Sequence, residues 1–506
     1  MKKKRRHAMR PFGGNKLMLG MAFFIIFSFG ISLPAWAQQP QGQQRQGGLN
    51  LEAEPGLPAP CTTAVYMQEG GEKILEGKSY SSTKSGVIES TICVTNNGWL
   101  TLKSPRITKT GAEGGDYGGQ AVEASKHSVV NILNGEIHTD TRMANGLYAT
   151  NEGSLIYMKG GSITTTASGG HGVDVTKRGS VILYDVEIST AGQSASGALV
   201  NDAGDGTIYA NKVRARTKGP GSSGFYMIGS MSMLTLRDSA LDIETSEIGV
   251  LVHGSNVTIT DTTMKGGGKG GIKVAGGTLS ISGGSLTVTN GDAFYIGGGE
   301  GGIPSGDSEG GRGGAPGGMP GGEGRGGAAP GGQGGMPGGG PPGGMPEGGM
   351  PEGGMPGGGG MMGGLMPMAD DTNNSITIEG GTKISVSKGL LINHADDCEC
   401  TFSVNNTDLE GDIIVAAEDG ELIVSLSDSN LSSKIEGAAL SLGRNSTWNV
   451  TGDSVLTTLS NAAISGKEIT NIKGNGHIVV YDEKLNKDLG GKTYTLINGG
   501  KLTPKK

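Results

Sequence analysis

The side chains with the best claim to chemistry are few and scattered. Gly170-His171-Gly172 holds an imidazole between two glycines, a setting that could present it as an acid or base. Asp185, Arg237, Asp238 and Asp261, with Arg214, Arg216 and Lys265, follow short apolar runs in successive stretches and could line one wall. β-Elimination on an acidic sugar needs such a set: carboxylates to hold calcium and an Arg or Lys to take the proton. Plainer readings compete. His171 stands where neighbouring stretches carry Asn145, Ser196, Ser223, Ile248 and Gly270, so a turn residue suffices. Solvated charges at strand ends account for the acids and bases. No catalytic set is assigned, and His171, Asp185, Arg237, Asp238 and Asp261 stay weak candidates. No cofactor is expected, calcium entering only with the elimination chemistry.

Four cysteines remain: Cys61, Cys93, Cys398 and Cys400. Their distribution suggests a Cys61–Cys93 bridge closing an N-terminal cap. Cys398 and Cys400 would project from the same face of a strand, so a bridge between them is possible but strained, and packed free thiols are the alternative. They are too few for a zinc site. Thr-rich runs such as Thr164-Thr165-Thr166 could form a hydroxyl ladder like that of ice-binding solenoids, but the Thr positions do not recur, which favours stacked packing.

What positions these residues is a repeat. Between Leu155 and Ile296 a unit of roughly 22 to 27 residues returns. Each opens with an alternating run such as Ser180-Val181-Ile182-Leu183-Tyr184. A second run follows (Val186-Glu187-Ile188-Ser189-Thr190), then a third after a glycine (Gly197-Ala198-Leu199-Val200). Three short strands per unit predict an all-β fold, a single parallel β-helix. The unit is too short for a βαβ motif, and a propeller blade runs about 40 to 50 residues. Apolar content of 34% and aromatic content of 4% suit a thin solenoid core.

The ends and the middle differ. Residues 1–37 read as a signal peptide: Lys2 to Arg6 is basic, Leu17 to Leu33 apolar, and Ala35-Trp36-Ala37 predicts cleavage after Ala37. No other run approaches a membrane span. Cleavage removes seven of the 41 basic residues and none of the 48 acids, leaving a net charge of −14. That disfavours nucleic acid or an anionic membrane as partner. Residues 38–60 read as a flexible leader and 61–97 as an N-terminal cap without clean repetition. The helix then runs over 98–296 and 375–446. Residues 297–374 form a Gly-Met-Pro insert, half glycine over its first 72 residues, with too few apolar side chains to offset its ordering entropy, so disorder is expected. Residues 447–506 read as a C-terminal cap closed by Trp448, Tyr481 and Tyr494.

With these residues in hand, the chain resembles exported right-handed β-helix proteins of the pectin-lyase-like class. More narrowly it resembles the passenger domains of autotransporter adhesins. The likeness rests on the glycine-led strands, on turns such as Gly160-Gly161-Ser162 and Gly276-Gly277-Thr278, and on the closing Trp448-Asn449-Val450-Thr451-Gly452-Asp453-Ser454. β-Helical polygalacturonases carry a Gly-His-Gly near catalytic aspartates, with an Asp-Asp upstream. Here Asp396-Asp397 lies far downstream of His171, a departure from that pattern. Autotransporters continue into a membrane barrel, whereas this sequence ends at Lys506, so release or non-covalent surface attachment is expected. The resemblance implies a secreted, periplasmic or cell-surface monomer, a non-enzymatic adhesin or matrix scaffold for a surface glycan or a host or matrix protein. The alternatives are a lyase or glycoside hydrolase on acidic glycans and a structural protein with no specific ligand.

Overall fold

A computed structural model describes residues 61–505 except 85–88, 112–118, 193–195, 221, 245–248, 267–269 and 298–372. The residues read as a signal peptide, the expected cleavage point, the expected leader and nearly all of the insert lie outside the described residues.

The chain winds as a β-solenoid of about thirteen turns with almost no helix. Leu155–Thr165 supplies the first and second strands of one coil, and its two halves pair in parallel with Val129–Asp140 on one side. On the other side they pair with Ser180–Tyr184 and Glu187–Thr190. Val173–Thr176, the third strand, lies parallel between Leu147–Thr150 and Gly197–Ala203. Three parallel sheets result, and alternation along each strand points every second side chain inward. In the first sheet Leu100, Val130, Ile156, Val181, Ile208 and Leu234 follow one another in register, each at most 1% exposed. Such columns form one continuous core of stacked aliphatic side chains.

The corner after each first strand requires a left-handed residue. Asn134 (φ 53°), Gly160 (68°), Asp185 (54°), Lys212 (55°), Asp238 (47°), Asp261 (46°) and Gly283 (69°) occupy it in successive coils. Their amides bond to the next coil: Asp185 to the Asn211 carbonyl at 3.0 Å, Asp238 to Thr260 at 3.1 Å and Asp261 to Ser282 at 2.9 Å. Gly, Asn and Asp bear this conformation at least cost.

Regular coils begin earlier than the irregular sequence suggests. Ala64–Glu69, Glu72–Glu76 and Ser79–Ser82 pair in parallel with Ser90–Thr95, Trp99–Lys103 and Arg106–Thr110. The segment read as a separate cap over 61–97 therefore contains a full coil that also closes the end. Tyr66 and Tyr80 pack with ring centroids 5.5 Å apart, and the Lys73 ammonium lies 5.5 Å from the Tyr66 ring. Cys61 and Cys93 are joined by a disulfide, Cα atoms 6.3 Å apart. The possible Cys398–Cys400 bridge is not formed, and both are free thiols.

Asn373–Glu379 pairs directly with Gly270–Ser282, the strand two places before the insert, so the core runs unbroken past the departure point. Near the C-terminus the parallel order gives way to two antiparallel pairings, Ile464–Ser465 with Glu468–Lys473 and Tyr494–Ile497 with Lys501–Pro504. Trp448 and Tyr481 are fully buried and bond to the Ser433 and Lys492 carbonyls at 3.1 and 2.9 Å. Bulky rings thereby fill the last coils without leaving a buried polar group unpaired. Among the described residues no helix is long and apolar enough to cross a membrane.

Candidate functional site

His171 lies two residues before the third strand, Val173–Thr176, and is sealed inside the protein, 4% exposed. Its amide donates to Asn145 Oδ1 at 2.9 Å, and Nδ1 accepts from the Gly197 amide at 3.1 Å. Nε2 therefore carries the proton and faces the Tyr226 hydroxyl at 3.2 Å, the two rings meeting edge to face. Burial pushes the imidazole down to about 3, so it stays neutral. The flanking glycines serve close packing: a Cβ on Gly172 would sit 2.5 Å from Ile188 Cγ2 and 2.8 Å from the Ala198 carbonyl. Gly-His-Gly here is a junction between coils.

Asp185, Asp238 and Asp261 come together along the left-handed corner, with Arg237 as the exposed last residue of its first strand. Asp261 leans onto the next coil, where a Cβ on Gly283 would fall 2.3 Å from Asp261 Oδ1. Ser104, Asn134, Gly160 and Lys212 hold the same corner elsewhere, so the position selects for conformation rather than for a carboxylate. His171 stands on a different corner and joins none of them. Among the described residues no group of three or more His, Cys, Asp or Glu side chains could hold a metal.

Other polar groups escape a linear reading. Glu123 is 2% exposed on the outer side of the third sheet, accepting from the Cys61 amide at 2.7 Å and the Ser90 hydroxyl at 3.1 Å. Burial raises its carboxyl to about 7 against those two donors. His394 replaces the aliphatic residue that lines the core in adjacent coils, Ile296 and Val415, and its Nε2 lies 3.7 Å from Cys398 Sγ. Burial lowers its basicity and holds the Cys400 thiol well above its usual range.

The outer sheet faces divide by charge. On the second sheet Arg106 pairs with Glu136 at 2.8 Å, Arg214 with Glu187 at 3.8 Å, and Arg216 with Asp242 and Glu244. These partners sit on neighbouring coils and are mostly exposed, so they amount to a solvated, internally neutralised face.

The first sheet is different. From Trp99–Lys103 to Ile435–Leu442 twelve first strands stack in register. The middle outward column reads Thr101, Asn131, Tyr157, Ile182 and Tyr209, then Thr235, Thr258, Ser280, Thr377, Ser403, Ser425 and finally Ser441. The column beside it runs from Trp99, Val129 and Leu155 through Asn256, Thr278, Ser375 and Thr401 to Ala439, with Glu72 of the terminal coil in register ahead of Trp99. Over these twelve coils neither column carries a charged side chain, although 18% of the chain is charged; Glu72, on the coil before them, is where charge enters the second column. Tyr184, in the third column, bridges the middle one: its ring is 6.2 Å from Tyr157 and 5.7 Å from Tyr209. Charge returns in the columns on either side, at Lys103, Lys159, Arg237 and Glu379 in the third column and at Glu399 and Glu421 beyond the other edge. The tyrosines were visible in the sequence, but only stacking by coil turns them into one surface.

No protein-family model and no curated protein matches the chain.

Proposed function

We propose that the protein is an exported, non-enzymatic scaffold that makes surface contacts, of the adhesin or matrix-binding kind, through the outer face of its first sheet. The observation that carries this is the uncharged double column running from Trp99 to Ser441 across twelve coils. Sustained exclusion of charge from an exposed face costs solubility, and a binding role accounts for it. The candidate acids favour the same reading, since each holds a backbone corner that Ser, Asn, Gly or Lys holds in other coils. Export rests on the basic and apolar segment ending in Ala35-Trp36-Ala37. The resemblance to adhesin passenger domains points the same way.

The test is adhesion of beads carrying the mature chain to cell-envelope and matrix preparations. Thr258→Lys with Ser403→Lys is expected to abolish retention while the melting temperature stays unchanged. Release of unsaturated or reducing ends from an acidic glycan, lost on Asp238→Asn, would instead establish the lyase or hydrolase reading and sink this one.

A further inference from the structure

We infer that the first-sheet face takes a single extended chain of a neutral, unbranched polysaccharide, lying along the solenoid axis; the inference rests on the contact-scaffold reading above. Three observations select this occupant.

The first is charge. An acidic glycan needs cations where its carboxylates or sulfates fall. The two columns offer none over twelve coils, while the adjoining second-sheet face carries arginines already paired with acids. A neutral polymer can lie on the first sheet without stripping water from an ion.

The second is the order of side chains along the axis. Tyr157 and Tyr184 stand half-buried on successive coils, and Tyr209, 7% exposed, backs Tyr184 from the next. Aromatic faces present large apolar area with little entropy to lose, which suits stacking on the C–H faces of sugar rings. The middle column then becomes hydroxylic: Thr235, Thr258, Ser280, Thr377, Ser403 and Ser425 stand on consecutive coils. All but the exposed Thr258 are half-buried. These are donors and acceptors at a repeat of about 4.8 Å, the spacing of paired strands. One end of the strip offers stacking and the remainder offers hydrogen bonds, the two contacts a sugar polymer can use.

The third is shape. Adjacent outward columns are two residues apart, about 7 Å, and nine coils from Tyr157 to Ser425 span about 40 Å. Two columns at that spacing make a strip about 14 Å wide, roughly three times as long as it is broad. A long, narrow, uncharged strip fits one linear chain.

The experiment is co-sedimentation of the full mature chain with three insoluble probes: cellulose as the neutral polymer, cross-linked polygalacturonate as the acidic one, and gelatin beads as a polypeptide. Retention on cellulose is expected. Tyr157→Ala with Tyr184→Ala should weaken it about tenfold or more, and Thr258→Lys with Ser403→Lys similarly. Melting curves of both variants, expected to keep the wild-type cooperative transition, separate lost contact from lost fold. Preference for polygalacturonate, or cellulose retention untouched by both variants, overturns the inference. Retention on gelatin alone overturns it while leaving the contact-scaffold reading standing; retention on none of the three, with no adhesion to envelope or matrix preparations, removes both. Thermal hysteresis in freezing solutions, lost in the Thr258→Lys, Ser403→Lys variant, would assign the hydroxyl columns to an ice lattice instead.

Discussion

Glu123 and His171 are buried ionisable groups whose pH effects run in opposite directions. Glu123 has its folded pKa raised to about 7 from 4.5 by burial. The stability contributed by its neutral form is fully present below about 4.5 and is lost as pH rises through 7, on the order of 3 kcal/mol. His171 has its folded pKa lowered to about 3 from 6.5. Its contribution is complete above about 6.5 and lost as pH falls toward 3. The two slopes oppose each other between 4.5 and 6.5, so only the alkaline side isolates Glu123. We predict that Glu123→Gln, which keeps an acceptor for the Cys61 amide, raises the thermal midpoint at pH 8 and leaves it nearly unchanged at pH 4.5. A variant that parallels the wild type across that range refutes the buried-carboxylate account. Neither environment was legible beforehand. Tyr226 is 55 residues from His171, and Cys61 is 62 from Glu123.

At the scale of the strand and its turns, the corner after each first strand decides which glycines are replaceable. Gly161 has φ 94°, and a Cβ there would lie 2.1 Å from the Gly135 carbonyl oxygen, a backbone atom that cannot step aside. Gly161→Ala is therefore expected to cost on the order of 2 to 3 kcal/mol, read from denaturant midpoints. Asp261→Gly at the left-handed corner should be neutral or stabilising by up to about 1 kcal/mol, because glycine prefers that conformation. A large loss from Asp261→Gly would show that its carboxylate matters in its own right. Turn glycines were easy to read, since Gly-Gly pairs punctuate the repeat. The coil at Ala64–Ser82 was not, because a terminal coil packs on one side only. Its inward positions then accept Lys73 and half-exposed tyrosines, and the apolar pattern fades.

For the whole molecule, the export reading predicts a mature N-terminus at Gln38, to be checked by intact mass and N-terminal sequencing of protein recovered outside the cytoplasm. Retention of residues 1–37 on the recovered chain would argue for an uncleaved anchor. Periodicity alone determined the β-helix class, because inward alternation and turn glycines are local demands that every coil repeats. Tertiary structure decided what faces what. Parallel register places Tyr157, Tyr184 and Tyr209 beside one another and lines up two charge-free columns over twelve coils. Residues about 25 apart in sequence become neighbours about 4.8 Å apart in space. Register also consigned His171 to the interior and the candidate aspartates to a backbone corner. One-dimensional spacing does not encode those fates, since each depends on the neighbours that other coils supply.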